Sequence, residues 1–330
     1  MNMRLFLDTA AKSKTKHALP ILSFPAAQKL NVSIDELVKG SNLQADAMEI
    51  VASKTDTIAA VSLMDLSVEA EAFGANVRFS KDEVPAVIGQ LITDENEAKA
   101  LKVPALDKGR AGVCIEGVRL AKQRILDKPV FAGMIGPFSL AGRLMDVTEI
   151  MYMCYDEPQT VHIVLEKASE YLINYGRALK LVGADGIILA EPLAGVLSPD
   201  MAIEFSVPYV KQIVKELKSD EFAIIYHNCG NAVVSMLDDI FSQDASAYHF
   251  GNAIDMQKVM SATPDDIICM GNIDPVSEFV KGTPQSMRKA VKELLNKCGG
   301  QNNFILSSGC DIPFNASWDN IAAFFSALND

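Results

Sequence analysis

At 330 residues the chain exceeds the usual size of one domain, yet α/β barrels of this length fold around a single core. A composition of 49% hydrophobic and 22% charged residues, with 20 Gly and 14 Pro, excludes a disordered or fibrous chain. The formal net charge of −12, from 42 acidic against 30 basic side chains, speaks against nucleic acid or an anionic membrane as partner, because such a field repels polyphosphate.

Residues 1–20 contain no apolar run of secretory-signal length, and no stretch approaches the roughly 18 apolar residues of a membrane span. The cytoplasm is the expected setting. There the six cysteines (Cys114, Cys154, Cys229, Cys269, Cys298 and Cys310) read as thiols or metal ligands rather than as a disulfide framework. No Gly/Ser- or Pro-rich linker divides the composition, so one domain over residues 1–330 is expected.

In chain order, short apolar runs predict strands at Leu19–Phe24, Ala60–Leu66, Val130–Ile135, Gly186–Ala190, Phe222–Tyr226, Ser246–Phe250, Ile267–Met270 and Phe304–Leu306. Between them, apolar spacings of three and four predict helices over Gln159–Val182, Pro199–Lys218, Ala232–Phe241 and Thr283–Cys298. Strands alternating with crossover helices predict a TIM (β/α)8 barrel. The stretch Glu69–Gln123 fits the repeat poorly. Phe73, Val77 and Phe79 read there as an extended or hairpin segment, an N-terminal insertion over one mouth.

Residues with chemical capacity fall at strand ends: Gly136-Pro137, Glu191-Pro192, His227-Asn228-Cys229, His249, Gly271-Asn272-Ile273-Asp274 and Gly309-Cys310. In a barrel these C-terminal ends surround one mouth, where barrel enzymes build their sites. His227 and Cys229 stand two apart in an extended segment and share a side. Cys310 closes the eighth strand and can face them across the mouth. One imidazole and two thiolates suit Zn²⁺, which in catalytic sites takes three protein ligands and keeps a fourth position open. Against this stands the plain alternative of buried cysteines that pack as small hydrophobes. Cys229-Gly230 and Gly309-Cys310 put these two sulfurs on tight turns, a setting that the other cysteines lack.

Several segments together resemble the uroporphyrinogen decarboxylase superfamily, in particular its cobamide-dependent methyltransferase branch. They are Val77-Arg78-Phe79-Ser80 with Glu83-Val84-Pro85, Gly136-Pro137-Phe138-Ser139-Leu140-Ala141, Gly183-Ala184-Asp185 through Glu191-Pro192, Leu197-Ser198-Pro199, and the His227-x-Cys229…Cys310 set. The last is similar to the zinc motif of methylcobamide:coenzyme M methyltransferases. The resemblance implies a zinc-dependent methyltransferase with His227, Cys229 and Cys310 as metal and catalytic residues. A zinc-activated thiol such as coenzyme M would attack a methyl group carried as methylcobamide on a partner corrinoid protein. Candidates for substrate binding are Glu191, His249, Asn252 and Asp274. Some relatives offer an acidic fourth ligand where this chain reads Tyr248-His249-Phe250-Gly251-Asn252. His249 therefore either ligates the metal, orients substrate or supports a ligand from behind.

The alternative is a metal-free tetrapyrrole decarboxylase. Members with that activity carry an arginine-rich N-terminal segment for the porphyrinogen carboxylates, whereas residues 20–28 here contain no arginine. A noncatalytic zinc- or corrinoid-binding protein is the third reading.

Overall fold

In the computed structural model, which describes residues 1–328, the strands are β1 (Ala60–Val61), β2 (Asn76–Arg78), β3 (Ala86–Ile88), β4 (Val130–Ile135), β5 (Gly186–Ala190), β6 (Ala223–Asn228), β7 (Ala247–Phe250), β8 (Cys269–Ile273) and β9 (Phe304–Ser308). Seven of them make one sheet in the order β1-β4-β5-β6-β7-β8-β9, with every neighbouring pair parallel. The expected first strand, Leu19–Phe24, is reduced to a bridge between Ala18 and Leu306. Pro20 cannot donate to a ladder, and the chain turns at Phe24-Pro25. The bridge nevertheless links the two ends of the sheet. The Leu19 amide donates to the Leu306 carbonyl at 2.9 Å, and the Ile58 amide donates to the Ala18 carbonyl at 3.1 Å. The parallel sheet thereby curls into a TIM-like barrel.

Strand side chains alternate between two faces. One set, including Val61, Phe131, Ile188, Ile225, Ala247 and Ile305, packs together inside the curl. The other, including Ala132, Leu189, Ile224 and Leu306, meets the surrounding helices. The amphipathic helix Met3–Lys12, which no sequence expectation covered, sends Met3, Leu7, Ala10 and Ala11 into the inner set. The Met3 amide donates to the Asp220 carbonyl, ahead of β6, so this helix stoppers the N-terminal end of the strands.

Helices Pro158–Leu181 and Pro284–Cys298 match expectation closely, the latter started by a Thr283/Ser286 capping box. The predicted Pro199–Lys218 helix is two, Pro199–Phe205 and Val207–Leu217. Pro208 has no amide to continue the ladder, and Ser206 leaves helical geometry at φ −124°. Ala232–Phe241 begins as a 3₁₀ turn, Val233–Met236, before Leu237–Phe241. Within the irregular stretch, β2 and β3 form an antiparallel hairpin pairing Val77 with Val87, but Phe73 ends a helix, Val68–Phe73. Helix Ala111–Arg124 packs on Ser41–Lys54 as an ordinary crossover between β1 and β4, so much of that stretch belongs to the repeat. Among the described residues, no helix is long and apolar enough to cross a membrane.

Candidate metal centre

The parity of the strands carries His227 and His249 inward. Ala223 and Ile225 face the inner core, so His227, two residues further along β6, does as well; Ala247 sets the same parity for His249 on β7. The two histidines are register partners, and both are buried. Just beyond β6 and β9 the chain turns at Cys229 and Cys310, both half-buried. His227, Cys229 and Cys310 place their ligand atoms within 4.8 Å of one another, the one such three-residue group among the described residues. Cys310 Sγ is 3.7 Å from His227 Nε2.

A hydrogen bond couples the two thiols. Cys310 donates to Cys229, which holds the Cys229 thiol down at about 7 although burial opposes this. The same bond, with burial, pushes Cys310 up to about 12. Burial raises the remaining thiols, Cys114, Cys154 and Cys269 to about 12 and Cys298 to about 11, so Cys229 alone is poised to ionise near neutrality. A ready thiolate, a second thiol that an ion can deprotonate and an imidazole nitrogen together fit Zn²⁺.

Backbone contact sets the spacing of this group. A Cβ on Gly251 would stand 2.4 Å from Cys229 Cβ, and one on Gly230 would stand 2.3 Å from Gly195 Cα. The turns after β5, β6 and β7 therefore interlock where only glycine fits. A side chain at position 251 has no room beside the Cys229 turn. Gly251→Ala is expected to force the Cys229 turn aside and cost about 1–3 kcal/mol, and chelator competition should show weaker zinc binding than in wild type.

The other candidates are largely committed within the protein. His249 meets His227 Nδ1 with its own Nδ1 at 2.8 Å and Ser307 Oγ with Nε2 at 2.6 Å, so neither ring nitrogen reaches the mouth. Burial foremost, then the neighbouring His227, pushes its pKa far down. Glu191 is fully buried and accepts from the amides of Phe138 (2.9 Å) and Ser139 (2.6 Å) at the start of helix Pro137–Met145, tying the end of β5 to that of β4. Asp274 accepts from the Val276 and Ser277 amides, both at 2.8 Å, and from Asn252 Nδ2 at 3.0 Å. Asn252, exposed at the rim, keeps its amide oxygen available.

Sequence reasoning missed a polar cluster after β1. Arg110 donates to Asp65, to Glu71 Oε2 at 2.7 Å and to Ser67 Oγ at 2.7 Å. Nearby, buried Glu69 accepts from the Ile135 amide at 3.1 Å through one oxygen, while the other has no partner. Burial raises its pKa to about 7. A raised carboxyl binds its proton more tightly when folded. Its stabilising contribution is complete below the usual value of 4.5 and is lost as pH climbs through about 7. Glu69→Gln should therefore flatten the fall in thermal midpoint between pH 5 and pH 8, removing on the order of 1–3 kcal/mol of pH dependence.

The uroporphyrinogen decarboxylase (URO-D) family model matches residues 9–330. The chain belongs to that family. A methylcobamide:CoM methyltransferase, MtbA, of Methanosarcina acetivorans is 27% identical over 75% of this chain and 72% of its own length. A uroporphyrinogen decarboxylase of Chlorobium limicola is 28% identical over 73% and 70%. Among solved structures, a methyltransferase from Methanosarcina mazei superposes with a TM-score of 0.88 at 22% identity, covering 99% of this chain and 98% of that one, which establishes the shared fold. Both methylcobamide:CoM methyltransferases and uroporphyrinogen decarboxylases thus stand among its relatives at similar identity.

Proposed function

We propose that this protein is a zinc-dependent methyltransferase that moves a methyl group from a methylated corrinoid to a thiol. The observation that carries the reading is the convergence of His227, Cys229 and Cys310 at the barrel mouth. His227 Nε2 and the two sulfurs would hold the ion and leave one position to the acceptor. Zinc, when bound, supplies Lewis acidity that lets an incoming thiol lose its proton at neutral pH while keeping its nucleophilicity. The chain does the rest by alignment: the turns after β5, β6 and β7 interlock and fix the Cys229 sulfur. Asn252, held by Asp274, presents its amide oxygen to whatever the thiol carries. A sulfur–carbon bond forms as the cobalt–carbon bond of the methylcobamide breaks, and the electron pair stays with cobalt.

The name of the Methanosarcina acetivorans relative supports coenzyme M as one acceptor to test. We read residues 1–330 as one cytoplasmic (β/α)8 domain with an insertion around the β2–β3 hairpin, and place the corrinoid on a separate partner protein. Glu191 serves this reading as a positioning residue rather than a group that touches substrate.

Zinc-loaded protein incubated with methylcobalamin and a panel of thiols, coenzyme M among them, tests the activity. A thioether and demethylated cobalamin are expected. Bound zinc without turnover on any thiol would sink the reading, and carbon dioxide release from a porphyrinogen by metal-free protein would favour the decarboxylase instead.

A further inference from the structure

A line of side chains runs from the metal-facing nitrogen of His227 back through the barrel wall. His227 Nδ1 lies 2.8 Å from His249 Nδ1, His249 Nε2 lies 2.6 Å from Ser307 Oγ, and Ser307 Oγ lies 2.7 Å from the Leu19 carbonyl. His227, His249 and Ser307 are each at most 2% exposed, so water does not compete for these bonds.

Proton counting fixes the direction of every bond in the line. A carbonyl only accepts, so Ser307 spends its single hydroxyl proton on Leu19. Ser307 Oγ must then accept from His249, which places the His249 proton on Nε2. A neutral His249 is left with a lone pair on Nδ1, so His227 donates to it from its own Nδ1. The Nε2 of His227 is thereby stripped of a proton and presents a lone pair toward Cys310. We infer that Ser307 and His249 are positioning residues that lock His227 in its metal-binding tautomer, with the Leu19 carbonyl as the fixed end of the relay.

Metal-ligating histidines commonly donate their second nitrogen to a carboxylate, carbonyl or water. Here the acceptor is a second imidazole, so its own tautomer has to be set, and the serine hydroxyl sets it. The relay also joins four parts of the chain: β6, β7, β9 and the Ala18 bridge that links the sheet ends. Shifting the Leu19 segment would therefore alter the basicity of a ligand on the far side of the barrel.

The inference rests on the metal reading above, and its test separates the two. In metal-free protein, nitrogen-15 spectra of the four histidines should show His227 protonated on Nδ1 and His249 on Nε2. Finding His227 protonated on Nε2 would overturn the relay whether or not zinc binds. Ser307→Ala should weaken zinc binding by about 10–100-fold in chelator competition, while Ser307→Thr, which keeps the hydroxyl, should restore it. His249→Phe should lose as much affinity as Ser307→Ala. Unchanged affinity in a folded Ser307→Ala protein, with the His227 tautomer also unchanged, would refute the proposal. Cys229→Ala is the control: zinc held as tightly as in wild type would remove the metal reading, and the tautomers would still decide the relay.

Discussion

Cys310→Ser is expected to release the metal and, in the metal-free protein, to quieten Cys229. The first effect follows from removing one of three donors, which should exceed the roughly 10–100-fold loss of affinity that outer partners cause. The second is independent of any metal. Cys229 is held near 7 by the proton that Cys310 donates, with burial acting the other way. A serine at position 310 is a shorter and differently placed donor, so the Cys229 pKa should rise. Alkylation of Cys229 at pH 7 by an iodoacetamide reagent should then slow to the pace of the remaining thiols, which burial holds at about 11 to 12. Because both sulfurs lie on turns at the mouth rather than in the core, the thermal midpoint should move little. Wild-type zinc content together with wild-type alkylation would disprove the site. Zinc affinity of the unaltered protein should also tighten as pH rises through about 7, since the thiolate must form before or as the ion binds.

Arg110→Met should be strongly destabilising although it lies outside the candidate metal centre. The guanidinium side chain is only 7% exposed and is shared between Asp65, 3% exposed, and Glu71. Its removal leaves a buried carboxylate beside the Ser67 hydroxyl with no cation, a loss of about 3–5 kcal/mol. For a chain of this size that corresponds to a drop in thermal midpoint of roughly 4–7 °C. Neutralising the partner as well, in Arg110→Met with Asp65→Asn, should recover part of the loss, because most of the cost is the uncompensated charge rather than the missing bond. A double variant less stable than the single one would contradict this account.

Legibility in the sequence tracked the range of the forces involved. β4 and β5 were readable to the residue because both faces of these strands are apolar, and a buried parallel strand is then a continuous hydrophobic run. The convergence of His227, Cys229 and Cys310 was readable because metal-ligand chemistry restricts the residue types and the glycines beside the cysteines mark the turns. Leu19–Phe24 misled because its apolar run covers barrel interior and turn alike, and Pro20 removes the ladder that would make it a strand. Arg110 was hidden for a different reason: Asp65 and Glu71 lie 45 and 39 positions away, and no local pattern announces such a pairing. Ser307 lies just past the expected strand Phe304–Leu306, which the structure extends to Ser308. Its inward parity, set by Ile305 two residues earlier, is the signal that aligns it with the histidines. The cost of a side chain at position 251 appears only once the Cys229 turn is seen pressed against it.

The helix Met3–Lys12 closes the N-terminal end of the barrel over its packed interior. If His227, Cys229 and Cys310 hold the ion as proposed, they would be reached from the mouth at the other end, and a corrinoid protein large enough to present its cofactor there would cover it. On the proposed function the small thiol must enter first, and the methylated thioether can leave only after the corrinoid protein withdraws. Steady-state kinetics should accordingly show compulsory order, with the corrinoid protein at high concentration acting as an inhibitor competitive with the thiol.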